Sequence, residues 1–261
     1  MGTLAGKSPA STYKSLLKVA DETNGISTSV SQLEDGEGTA SCLSISDDQI
    51  IIQPQNDNTT NTFGIRQADG TYLLKVDTSN AVINLGSTAT PANSQLLEFH
   101  AKTLVPASSG THYFVGKGSS AYFGTSVETS CGTGTDPDTS LDAGAATDDL
   151  LQNLFIVPVD LTIDAVKFIV STITDTDTTI NVHLYSFDMA NTGGTNDGNL
   201  SNGTLLANGQ ATAVDRNVIK TVTCSIDSAS VTANKVIACF VENETNTDSI
   251  MLQTQVLYHF N

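Results

Sequence analysis

Apolar and polar positions alternate with a period of two along much of the chain, and that period predicts β-strands. It is clearest in SIMLQTQVLYHF (249–260), where Ile250, Leu252, Val256, Tyr258 and Phe260 share a face. Further strand-like segments are LLEFHAKTLV (96–105), HYFV (112–115), AYFG (121–124), LLQNLFIVPV (150–159) and LTIDAVKFIV (161–170). TINVHLYSF (179–187), VIKTVTCSI (218–226) and KVIACFVE (235–242) complete the series. No long segment carries a convincing helical period. Strands at this spacing, separated by Gly/Asn/Asp loops, predict an all-β chain with a C-terminal antiparallel jelly-roll-like sandwich over 95–261, long enough for its own core. The polar runs 124–149 and 188–209 read as long loops, and such loops in a compact β domain carry function or oligomer contacts.

The stretch FGIRQADGTYLLKVDTSNAVINLG (63–86) reads as three short strands with turns at Ala68-Asp69-Gly70 and Asp77-Thr78-Ser79-Asn80. Alternation sets Tyr72, Leu74 and Val76 on one face and Leu73 and Lys75 on the other. A ribbon of this size is marginal alone in water. The simplest way to bury its apolar face, including Ile83 and Leu85, is against identical chains around an axis, which predicts a homotrimeric β-stem over 49–94. A meander folded onto the C-terminal domain is the alternative. The string LLKV recurs at 16–19, again before an acidic, Asn/Gly-containing turn. Ser8-Pro9 suits a helix start, but Tyr13, Ser15, Leu17 and Val19 alternate, so residues 1–48 are expected to be extended chain and short polar strands lying against something larger. QIIIQ (49–53) is expected to open the stem region.

Composition sharpens this picture. Charged residues make up 15% of the 261-residue chain, against an ordinary ~25%. Ser, Thr, Asn and Gly take the difference, which suits turns and solvent-facing strand positions. Eleven Lys plus Arg against 28 Asp plus Glu give a net charge of −17, which argues against nucleic acid or anionic lipid as partners. Lys7, Lys14 and Lys18 form a basic start to an acidic chain, and no apolar run approaches the ~18 residues of a membrane span. Cys42, Cys131, Cys224 and Cys239 form no C-x-x-C pair; they are expected to be small buried apolar residues.

No motif carries catalysis. GTLAGKS (2–8) has three residues between its glycines where a phosphate loop needs four, and Pro9 follows at once. GKGSSA (116–121) sits between strands without a βαβ unit. His100, His112, His183 and His259 are scattered, none at ligand spacing, and read as satisfied sheet histidines, with His183 on a face with Tyr185 and Phe187. Asp136, Asp138 and Asp142 suggest a calcium cage but lack the glycine and glutamate of a helical-hand loop. Carboxylate pairs are plentiful, but Trp is absent and no nucleophile elbow appears. Neither an enzyme nor a cofactor is expected.

SPASTYKSLLKVADETNGISTSVSQLEDGEGTASCLSIS (8–46) resembles the leading segment of virion fibre proteins of tailed bacteriophages, particularly marine ones, and FGIRQADGTYLLKVDTSNAVINLG resembles their β-stem. GTHYFV, VPVDLTIDAVKF, HLYSFD, DGNLSNGTLLANG and VTANKVIACF resemble their terminal knobs. The resemblance implies a homotrimeric virion protein assembled in the host cytoplasm. Its N-terminus would be anchored to a tail, neck or capsid protein, and its knob would face outward toward a host surface glycan or protein. A head-decoration or neck protein that binds no receptor is the second implication. The expected receptor contact is the polar loop around Asn191–Asn202, through Asn196, Asp197, Asn199 and Asn202.

Overall fold

Short strands joined by aspartate-anchored turns build the first part of the chain. The computed structural model describes residues 16–21, 23–86, 90–117, 130–142, 153–174, 176–190 and 198–261. It is all-β with antiparallel sheets, divided into two compact units, Met1–Ala92 and Asn93–Asn261. In the first unit, β1 (Lys18–Val19), β2 (Ser31–Glu34), β3 (Ala40–Ile45) and β4 (Ile50–Ile52) form one four-stranded sheet in that order. β5 (Phe63–Arg66), β6 (Tyr72–Asp77), β7 (Val82–Leu85) and β8 (Thr90–Pro91) form another. QIIIQ falls in β4, which pairs with β3, so it belongs to the first sheet and not to the ribbon. Only Lys18 and Val19 of the first LLKV are strand, and the proposed extension back to Tyr13 lies outside the described residues.

Four of the turns here are closed by a carboxylate that accepts backbone N–H groups, and the β3–β4 turn by the Ser46 hydroxyl, which accepts those of Asp48 and Gln49. Asp21 takes those of Thr23 and Asn24, Asp35 those of Glu37 and Thr39, Asp69 that of Thr71, and Asp77 that of Asn80. These bonds hold all four carboxyls below the ordinary range, chiefly through the Asn24, Thr39 and Thr71 N–H groups and the Asn80 side chain. Local turn chemistry thus fixes register without any core.

Packing confirms how little core there is. Cross-strand pairs Phe63 with Val76, Ile65 with Leu74, Leu74 with Leu85 and Val76 with Ile83 put one apolar set on a single face. The expected set of Tyr72, Leu74, Val76, Ile83 and Leu85 lies there, joined by Phe63 and Ile65. Exposure runs from 38% at Phe63 to 52% at Leu85 among the outer members of this face. The buried side chains of the described first unit are Asp77 and Asn84, both polar and both on the opposite face.

The second unit inverts that balance. Its strands are β9 (Ser94–Leu104), β10 (His112–Phe114), β11 (Gly116–Lys117), β12 (Phe155–Ile156), β13 (Leu161–Thr172) and β14 (Thr178–Met189). They continue with β15 (Leu200–Val214), β16 (Lys220–Thr223), β17 (Ser225–Ile226), β18 (Ser230–Val231), β19 (Val236–Asn243) and β20 (Ile250–Phe260). One six-stranded sheet runs β10-β19-β14-β15-β17 with β12 beside β19; the other runs β11-β9-β20-β13-β16 with β18 beside β13. Alternate residues of both sheets meet in one core: Phe99, Leu104, Val166, Phe168, Ile180, Leu184, Cys239 and Val256 are among its members. Cys131, Cys224 and Cys239 are buried as expected, but Cys42 is exposed, because its sheet has no covering layer.

Two expectations need correction. Residues 200–209, read as loop, belong to the fifteen-residue β15, which pairs with β14 along its length through three register irregularities. Its glycines seat aromatic rings and do not mark turns. A Cβ on Gly203 would fall 2.7 Å from Phe187 Cε1, and one on Gly209 would fall 2.9 Å from Phe168 Cε1. VIKTVTCSI, read as one strand, is two: β16 pairs with β13 in one sheet and β17 with β15 in the other, with buried Cys224 between them.

A Gly203→Ala variant should lower stability by about 1–3 kcal/mol, the cost of overpacking against Phe187 and the Thr139 backbone. Urea unfolding checks it: the midpoint should drop at constant slope, whereas an unchanged midpoint would show that position 203 is roomy.

Candidate functional site

The outward face of the β10-β19-β14-β15 sheet carries a polar end and an aromatic end, and strand register explains both. One row across the strands is His112, Glu242, Asn181 and Gln210; the next is Phe114, Phe240, His183 and Asn208. Beyond them, Tyr185 and Phe187 join Phe114 and Phe240 in an aromatic cluster with centroids 4.9–6.0 Å apart. Segment 131–141 lies across this face. It is tied down by bonds from His112 N–H to Gly132 O, from Cys131 N–H to His112 O and from Gly203 N–H to Thr139 O. Gly132 sits at φ +111°, where a Cβ would fall 2.6 Å from Asp138 N, so the close return of this segment requires glycine. Cys131 and Leu141 pack onto the aromatic end.

At the polar end, the same segment covers two histidines. His112 and His183 are 5.0 Å apart between ring centroids and tilted by 53°. His112 is fully buried and His183 is 6% exposed. Neither His112 nitrogen nor His183 Nδ1 makes a hydrogen bond to the protein. His112 Nε2 faces Glu242 Oε2 at 3.6 Å and His183 Nδ1 faces Asp136 Oδ1 at 3.8 Å, both too long for a hydrogen bond. The expectation of four satisfied histidines therefore fails at these two. It holds at His259, whose Nδ1 lies 2.9 Å from Asp164. Burial pushes the His183 pKa down to about 4, helped by the neighbouring His112 and opposed by Asp136. Burial also lowers that of His112, against the pull of Glu242. Burial, then the Asp136 charge, raises the Tyr185 phenol to about 12.

Beside the histidines opens a cavity of about 770 Å³, lined by Asp136, Asn181, His183, Gln210, Glu242 and Glu244 among others. Asn181 Nδ2 donates to Glu242 Oε2 at 2.7 Å and lies 3.5 Å from Glu244 Oε2. Gln210 Nε2 donates to Asn181 Oδ1 at 2.9 Å and reaches Glu244 at 3.4 Å. Two carboxylates thus converge on one neutral amide, and among the described residues neither lysine nor arginine lines the cavity.

The expected contact residues that are described, Asn199 and Asn202, lie elsewhere. Asn196 and Asp197 fall outside the described residues. Asn199 stands at the β14–β15 hairpin, its carbonyl accepting from Ala190. Asn202, at φ +53°, donates to Asp188, which also binds Lys235 at 2.6 Å. Neither lines the cavity. Of the candidate calcium ligands, Asp136 covers His183 and Asp138 closes the Gly132 return; no three His, Cys, Asp or Glu side chains converge at metal-ligating spacing among the described residues. The signal missed in the sequence was the β14 alternation itself, which places Asn181 and His183 on one face.

A depressed histidine pKa sets the sign of a pH effect. Between about pH 6.5 and 4 the unfolded chain protonates at position 183 and the folded chain does not, so stability is full above this window and falls as pH drops through it. For His183 alone the loss is on the order of 3 kcal/mol. A His183→Gln variant should lose less stability between neutral and mildly acid pH than the parent in urea unfolding; equal losses would refute the assignment. No family model matches the chain, and a search of curated proteins gives no match either.

Proposed function

We propose that the chain is a homotrimeric, non-enzymatic fibre protein of a tailed-bacteriophage virion. In this reading, the N-terminal segment with its first sheet, through Ile52, anchors it to a tail, neck or capsid protein, the ribbon that begins at Phe63 forms a trimeric β-stem, and residues 95–261 form a jelly-roll-like knob for host-surface attachment. The observation that carries the reading is the uncovered apolar face of Phe63, Ile65, Leu74, Val76, Ile83 and Leu85. Each such side chain gains roughly 1.5–3 kcal/mol on full burial, and a ribbon whose own buried groups are Asp77 and Asn84 leaves that gain unused. Three narrow ribbons around an axis close a prism in which each apolar face meets two others, so sister copies supply the missing core. The second unit has its own core, which supports an independent knob at the end of such a stem. Three knobs on one stalk raise avidity by multivalency without tight single-site binding.

Light scattering on the full chain should return a mass near three times the 27.3 kDa protomer. Leu74→Asp combined with Ile83→Asp should reduce it to one protomer while the thermal transition of the second unit persists. A single-protomer mass for the unaltered chain would end the trimer reading, and gold labelling of particles would place the anchor on tail, neck or head.

A further inference from the structure

We propose that the cavity on the outer face of the β10-β19-β14-β15 sheet binds a saccharide carrying a free amino group. The inference deepens the attachment reading by naming a ligand class and rests on it only for the ligand's origin. The cavity itself lies within one protomer.

Donor bookkeeping comes first. Among the described lining residues, most amide N–H groups are engaged: Asn181 on Glu242 and Glu244, Gln210 on Asn181 and Glu244, and one N–H of Asn208 on Asp227 at 2.9 Å. Acceptors outnumber donors among the described lining side chains: the carboxylates of Asp136, Glu242 and Glu244 and the amide oxygens of Asn208 and Gln210 stand against the Thr135 hydroxyl and one Asn208 N–H. A ligand that donates hydrogen bonds is favoured.

Charge comes second. Glu242 and Glu244 both accept from Asn181 Nδ2, Glu244 also from Gln210 Nε2, all neutral donors, and among the described residues neither lysine nor arginine lines the cavity. An ammonium group placed between them relieves that repulsion with charge-assisted bonds, whereas an anionic sugar is repelled. The third observation is a buried imidazole. His183, 94% buried on its 6% exposure, leaves Nδ1 without a partner at the cavity wall, 3.8 Å from Asp136 Oδ1. Once the exposed Asp136 side chain swings aside, a hydroxyl about 2.8 Å from each atom bridges the two, accepting from one and donating to the other. Hydroxyl at the His183–Asp136 side and ammonium at the Glu242–Glu244 side are more than one small cation can serve, and about 770 Å³ admits a sugar ring or two. Half-buried Leu205 offers the ring's C–H edge an apolar rest.

Calorimetric titration of the full chain with a glucosamine oligomer tests this, alongside its N-acetylated counterpart, spermidine, and zinc or calcium chloride. Binding of the glucosamine oligomer is expected, with affinity at least about tenfold lower once the amine is acetylated. Glu244→Gln and Gln210→Ala, both exposed and away from the core, should each weaken binding by about tenfold with unchanged thermal unfolding. Equal affinity for the acetylated oligomer overturns the charge argument, and equal affinity for spermidine overturns the saccharide. Binding of the metal salt alone, no binding of the glucosamine oligomer, or variants that bind as the parent does would each overturn the site. The mass measured by light scattering is read separately, so a monomer that binds the oligomer refutes the trimer and keeps the cavity.

Discussion

A β-sheet face is hidden only by a second layer, and the whole molecule follows from where that layer comes from. In the second unit the layer is another sheet on one side, while segment 131–141 covers part of the other side. Both apolar faces of the β19 sheet are therefore satisfied, and every residue of β19 is buried. The first unit has no second layer among its described residues. Its strands are held by ladders and by aspartates at turns, devices that fix backbone geometry but bury no apolar area. The same residue chemistry gives a self-sufficient body in one case and an incomplete one in the other.

The cavity is a by-product of how segment 131–141 runs. Cys131 and Leu141 pack it onto the aromatic cluster, and Gly132 and Gly134, both at positive φ, lead from His112 to Asp136, which faces His183. His112 and His183 are thus shut away from water while His112 Nδ1 and Nε2 and His183 Nδ1 gain no protein partner. Burial of unpaired imidazole is costly, and its persistence beside an open acidic cavity is what singles this region out from the rest of the surface.

Much of the fold was legible in period-two alternation. β9, β13, β14, β19 and β20 fall close to where their apolar spacing places them, because each has one face on a core. Tyr72, Leu74, Val76, Ile83 and Leu85 also fall on the common face expected of them, because a pleat allows only two. β15 was hidden by its Asn and Gly content. Local propensity there says turn, but the rings of Phe187 and Phe168 need the missing Cβ atoms, a tertiary demand that no local window contains. The histidine pair was hidden for a related reason: His112 and His183 are brought together by β19 lying between their strands. Sequence spacing carries no trace of a neighbour supplied by a third strand.

The passage from β16 to β17 through Cys224 has a mechanical meaning. The stretch Lys220–Ile226 hydrogen-bonds first into one layer of the sandwich and then into the other, so a single piece of backbone staples the two together. Neither layer can melt while its neighbour stays intact without tearing that staple. Deep amides of both layers are thereby bound to one cooperative opening, and their slowest hydrogen exchange shares a common free energy.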